Sequence, residues 1–228
     1  MKLRIPYLLL NLLLFGCATQ EKIRSAGNDN YPESWWQSIP VDQVAEWEIP
    51  PQAARREASE VVLSKRNELG QFSNLQAIDF DFEGQHYGSV EGLWQALKYP
   101  EGASDERNSG AVVWPYTRAQ VMKLSGFEAK KAGDAASGNM KILGIKWVSY
   151  KGRKLNYSGS DDETSEHYDL ILRACRAKLA ADPKLLTLLL KTGDLRFFSD
   201  HKQKSDSPPS YRYHEIYMKL RTEQLKIN

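Results

Sequence analysis

A single globular domain, mainly helical with a few short strands, is what three features of this sequence predict. Its second half carries long stretches of helical apolar spacing, its first half one clear period-2 stretch, and its composition is ordinary. With 41% apolar and 26% charged content in 228 residues, there is apolar material for one sizeable core plus extensions.

Residues 1–16 differ in kind from the rest. Lys2 and Arg4 make a basic start, Ile5 to Phe15 is an apolar run, and Leu14-Phe15-Gly16-Cys17 follows. This reads as a signal peptide, too short to remain as a spanning helix. Its end resembles a bacterial lipobox, with Leu three places before the Cys and Gly directly before it. Cys17 is thus expected to become the lipidated first residue, anchored in the cell envelope on the periplasmic or surface side; a simple secretory signal cut nearby and an uncleaved anchor are the alternatives. Ala18, where an inner-membrane lipoprotein would carry Asp, points to the outer membrane.

Removing Lys2 and Arg4 from 31 basic residues leaves 29 against 29 acidic ones. A chain so balanced has no general attraction for polyanions, which argues against non-specific nucleic-acid binding; a nucleotide would have to be recognised in a pocket. With Cys17 lipidated, Cys175 has no partner for an intramolecular disulfide, and its place on an amphipathic helix reads as a packed thiol. The four histidines are dispersed without ligand spacing, so no metal is expected.

Residues 17–55 comprise a polar tether to about Asn30 and then an arm with Trp35, Trp36 and Trp47 among Pro32, Pro40, Pro50 and Pro51. Three tryptophans carry too much apolar area to leave in water, so the arm should lie on the domain, residues 56–228. Val61 to Leu63 suits a short buried strand. Ile78, Phe80 and Phe82 alternate with Asp79, Asp81 and Glu83, a half-buried strand ending at a Glu83-Gly84 turn. Ser89 caps a helix on which Glu91, Gln95 and Lys98 fall within roughly 60° of one another, opposite Val90, Leu93, Ala96 and Leu97. Taken alone, that stripe also describes a solvated face with an i,i+4 contact.

Thr117 to Leu124 and Phe127 to Ala136 read as helices, the second rich enough in small residues to approach a neighbour closely. Ser158 to Ser165 is an acidic loop. Its Asp161, Asp162 and Glu163 lack the full calcium-loop spacing and suit a helix cap better than a metal site. Glu166 to Ala181 and the helix opened by Asp182-Pro183 form a helical hairpin. Leu195 to Phe198 is a short strand, and Tyr211 to Leu225 a closing helix.

The order of these features resembles the NADAR (YbiA-like) family: Phe72-Ser73-Asn74, a strand and turn through Gly84, Tyr87-Gly88-Ser89-Val90-Glu91, then Gln95-Ala96-Leu97-Lys98. Downstream, Ala129 to Gly133, Trp147, Arg173 to Leu190 and Thr192-Gly193 follow the family's second half, for a total reach of about residues 60 to 225. The resemblance implies a mainly helical α+β YbiA-like domain with a small antiparallel sheet, and N-glycosidase activity. Known family reactions cut a bond between an amine or nucleobase nitrogen and ribose, on ADP-ribosylated guanine or riboflavin-pathway intermediates, without a cofactor.

Carried over residue by residue, Glu91 matches the essential glutamate, Lys98 the lysine able to attack ribose C1, and Trp147 the tryptophan that stacks on the base. Phe72, Ser73, Asn74, Ser89 and Gln95 would line the substrate site. The family's Trp-Gly pair and following acid are missing from Ser199 to Tyr213, which has no Trp, Gly or Asn. Asp200 takes the acidic position, with Asp206 and His201 as alternatives, and Gly92 stands where the family often has His. The other reading is a non-catalytic envelope lipoprotein that binds an ADP-ribose-like or flavin-like ligand.

Overall fold

The computed structural model describes residues 31–156 and 162–226. The Pro-rich arm runs over the domain in short 3-10 turns, Glu33–Trp36, Val41–Gln43 and Pro51–Ala53. Trp35 is fully buried, and its indole N–H donates to Glu68 Oε1 at 2.7 Å. The Trp36 indole donates to the Glu60 carbonyl at 2.7 Å. A buried aromatic with a polar edge needs such a partner. Further on, Ile49 N donates to Asp200 O and Lys202 N to Trp47 O, so the arm pairs with the segment after the last strand.

The strands form three separate pairs among the described residues. β1 (Glu60–Val62) runs parallel to β6 (Arg196–Phe198), whereas β2 (Phe80–Phe82) with β3 (Gln85–Tyr87) and β4 (Trp147–Tyr150) with β5 (Arg153–Asn156) are antiparallel hairpins. Both hairpins turn on two residues with positive φ, Glu83-Gly84 and Lys151-Gly152, the condition of the tight turn that matches strand twist. The helices and these short strand pairs make the mixed α+β domain that was expected; the sequence pointed to only the first hairpin, and the β1–β6 pair is parallel.

Six α-helices are described: α1 (Val90–Ala96), α2 (Arg118–Met122), α3 (Gly126–Ile142), α4 (Glu166–Ala181), α5 (Pro183–Lys191) and α6 (Tyr213–Leu225). The caps follow the sequence. Thr117 and Gln120 make a capping box, Ser165 caps α4, and Asp182 caps α5 ahead of Pro183. α3 continues six residues past Ala136, the expected end.

Short α1 is the hub, packed against α2, α3 and α4. Val90, Leu93, Ala96 and Leu97 are buried. Ser89 Oγ accepts from Gly92 N and donates to Leu124 O, tying the helix start to the α2–α3 corner. That corner comes so close that a Cβ on residue 92 would lie 2.4 Å from Leu124 O. A histidine there would collide, which accounts for Gly92. At the other end the Leu97 carbonyl accepts from Ser149 N, Arg107 Nη1 and Arg118 Nη2, each at 3.0 Å. Two guanidiniums therefore satisfy the helix C-terminus, and burial pulls Arg118 down to about 10.

Candidate active site

The polar stripe of α1 does not face water; it faces α3. Ala129, Ala132, Gly133 and Ala136 are buried along that helix, and their small size lets the backbones approach. Gly133 is the tightest point, since a Cβ there would sit 1.8 Å from Gln95 Oε1. Into this notch Gln95 folds its amide and donates from Nε2 to Glu91 Oε1 at 2.6 Å. Lys98, 8% exposed, donates to Ser137 Oγ at 2.9 Å and reaches Gly133 O at 3.5 Å. Ser137 in turn donates to Gly133 O at 2.8 Å.

A carboxyl and an amine in such a place are both shifted towards neutrality. Burial pushes Glu91 above the usual carboxylate range, against the Gln95 hydrogen bond and the Lys98 and Lys130 charges, with Asp134 adding to the rise. Burial likewise pulls Lys98 down, opposed by Glu91 and Asp134 and assisted by Lys130. Lys130 and Asp134 are themselves an exposed i,i+4 pair at 3.3 Å on α3.

The loop at residues 71–75 fixes where this stripe begins. Glu91 N donates to Asn74 O at 2.9 Å and Gly126 N to Leu75 O at 2.8 Å, so one loop holds the starts of α1 and α3. Asn74 Oδ1 is buried without a partner among the described residues, as is Gln95 Oε1. Beneath the loop, Lys178 on α4 is fully buried and donates to Gln71 O at 2.8 Å and Ser73 O at 2.9 Å. Burial pulls it down to about 8.

The residues named from sequence therefore divide. Glu91, Gln95, Lys98 and Asn74 come together. Phe72 as a pocket wall is corrected: it has no exposed area and packs between Phe197 and Tyr217, with ring centres 6.2 and 5.0 Å away. Ser89 is a buried helix cap rather than a substrate contact, and Ser73 contributes its carbonyl to Lys178. Trp147 lies on β4 with Arg107 at 4.7 Å and Lys154 at 4.4 Å over its ring; among the described residues no hydrogen bond or ring contact joins it to Glu91 or Lys98.

Asp200 is likewise placed elsewhere. It accepts from Tyr213 Oη at 3.0 Å and pairs with His201 Nδ1 at 2.8 Å, and among the described residues no hydrogen bond or ion pair links it to Glu91 or Lys98. Ser199 Oγ meets the same His201 nitrogen at 3.1 Å, so Ser199, His201 and Asp200 do not form a relay through the two sides of an imidazole. Among the described residues no group of three or more His, Cys, Asp or Glu is arranged to hold a metal, and no helix is long and apolar enough to cross a membrane. The signal segment and Cys17 lie outside the described residues. Cys175 is buried, and desolvation pushes its thiol up to about 11, as suits a packed, unreactive sulfur.

The small residues of α3 were expected to admit a close neighbour, but sequence reasoning missed the polar side of that helix and Lys178. For α3 the signal was Lys130, Gly133, Asp134 and Ser137 at i, i+3, i+4 and i+7. For Lys178 it was a lysine in register with Ile171, Ala174 and Cys175 on an apolar stripe.

No protein-family model matches the chain, and no curated protein matches it. Among solved structures, the chain is similar to the E. coli protein YbiA, determined by NMR. The match has 20% identity and a TM-score of 0.44, covering 72% of this chain and 82% of that one.

Proposed function

We propose that the protein is an N-glycosidase that hydrolyses the bond between a nucleobase or amine nitrogen and ribose. The substrate is an ADP-ribosylated or riboflavin-intermediate-like compound. The motif order from Phe72 to Lys98 supports this reading, and the observation that carries it is the placement of half-buried Glu91 and buried Lys98 together against α3, with opposite shifts towards neutrality.

Cleaving a C–N glycosidic bond leaves electron density on the departing nitrogen and positive charge on the sugar. A carboxyl that burial shifts towards its neutral form donates a proton to that nitrogen. A desolvated amine attacks ribose C1 as the bond breaks, the electron pair leaving with the nitrogen that takes the Glu91 proton. The Lys98 nitrogen then loses its proton to the ring oxygen as the C1–O bond opens, and water hydrolyses the resulting imine to release the sugar and restore the amine. Gln95 fixes the Glu91 carboxyl, and Asn74 Oδ1 offers an acceptor to a substrate N–H or O–H.

Incubating the purified protein with ADP-ribosylated guanine or with the ribosylated pyrimidine of riboflavin synthesis tests the proposal. Release of ADP-ribose or ribose 5-phosphate is expected, lost in Glu91→Gln, with a borohydride-trapped adduct on Lys98. One observation favours the second reading, a binding lipoprotein without turnover: Asp200, the acid assigned to the family's position, is engaged by His201 and Tyr213. A tight complex without product would decide for it. Lipid attachment through Cys17 to the bacterial envelope belongs to the same proposal and predicts that Cys17→Ser moves the protein from the membrane to the soluble fraction.

A further inference from the structure

We propose that Asp134, on the rim of the α1–α3 groove, is the second carboxylate of the site: a positioning residue that acts through Lys98, in the part that position along the chain gave to Asp200. This rests on Lys98 being the reacting amine.

Placement carries the inference. Lys130, Gly133, Asp134 and Ser137 occupy one side of α3 by helical spacing. Two of the four touch Lys98 directly, and Gly133 also receives Gln95. Asp134 is adjacent to Gly133 and three residues before Ser137, so the backbone that holds Lys98 also holds Asp134. Its side chain is 69% exposed, open to an incoming molecule. Asp200 lacks all of these relations.

The charged groups that face Lys98 are Glu91 from its own helix and Lys130 and Asp134 from α3. Glu91 and Asp134 favour the ammonium; Lys130 favours the free amine. As Glu91 takes up the proton it is to donate, its hold on Lys98 ends, and Asp134 is the carboxylate that remains against Lys130. The balance between those two rim charges then sets how much Lys98 is a nucleophile. Because the rim is open to solvent, salt should weaken this control.

The test is the pH profile of Lys98 modification by formaldehyde and cyanoborohydride, read by peptide mass spectrometry on the intact folded protein. In Asp134→Asn, Lys98 should react about two- to fivefold faster at neutral pH, the range that exposed charge pairs support, with the profile moved to lower pH and the difference shrinking in high salt. Asp134→Glu should restore the original profile, and Asp200→Asn should leave it unmoved. An Asp134→Asn profile that overlays the wild type overturns the proposal while leaving the N-glycosidase reading intact. If wild-type Lys98 instead reacts like an exposed lysine and no N-ribosyl substrate is cleaved, the N-glycosidase reading falls as well.

Discussion

Lys98, in the turn that ends α1, and Lys178, on α4, are both buried lysines, yet their surroundings differ in kind. Lys178 donates to two backbone carbonyls at 2.8 and 2.9 Å, a hundred residues away in sequence, and lies 5.9 Å from the Tyr217 ring centre. Lys98 has one hydrogen bond of ordinary length, to a hydroxyl, a 3.5 Å contact to a carbonyl, and carboxylates on α1 and α3 acting on it. A cation whose partners are fixed backbone oxygens organises a loop. One held by a hydroxyl between titratable acids is equipped to change its proton.

Removing each lysine should separate the two roles most sharply. Lys178→Ala leaves the Gln71 and Ser73 carbonyls without their donor and opens a cavity beside Tyr217, costing about 2–4 kcal/mol in urea denaturation. Lys98→Met removes a weakly partnered buried charge, and its stability should stay within about 1 kcal/mol of wild type or exceed it. Equal losses in the two variants would end the distinction.

The pH dependence of stability has a defined sign for Lys178. Its folded value of about 8 lies below the ordinary 10.5, so between them the unfolded chain binds more protons. Stability should therefore rise with pH through that window, by about 3 kcal/mol if this group acts alone. The contribution is complete above the upper value and lost as pH falls through the lower one. Lys178→Met should flatten the slope in a pH series of urea melts.

Much of this architecture was legible in the sequence because it is local. Ser89, Thr117, Ser165 and Asp182 announce helix starts, Glu83-Gly84 announces a hairpin, and the two faces of α1 follow from a 3.6-residue period. What stayed hidden depends on contacts between distant segments. The Ala and Gly of α3 announced a close approach to some neighbour, but not that the neighbour would be the Glu91 and Lys98 side of α1. The β4–β5 hairpin lacks clean alternation, since Val148 and Ser149 are both buried, and its Lys151-Gly152 turn was the available signal. Phe72 reads as part of a motif, and only the positions of Phe197 and Tyr217 make it core. Asp200 matched by order along the chain, which says nothing of the arm that pins its segment.

The fit of Gln95 against Gly133 gives a smaller effect that sharpens the groove side of the comparison. In Gly133→Ala the new Cβ displaces Gln95 from its place beside Glu91, an overpacking cost of about 1–3 kcal/mol. The gain of up to about 1 kcal/mol from alanine in a helix offsets part of it. In a Gln95→Ala background only that gain remains, so the same substitution should be neutral or stabilising. A double-mutant cycle by thermal or urea melts measures the difference; equal costs in both backgrounds would mean that the glycine is not there for Gln95.

The smallest effect belongs to Asp134. Its contact with Lys130 at 3.3 Å joins two exposed side chains one helical turn apart, a geometry worth about 0.3–0.5 kcal/mol. Asp134→Asn should therefore lower stability by no more than about that amount, and less in high salt. A larger loss would make Asp134 structural, and a faster-reacting Lys98 in that variant would then report loosened packing. With stability unchanged, a shifted Lys98 profile has only the lost charge as its cause, and the contrast with Lys178, whose removal moves stability first, becomes a difference in function.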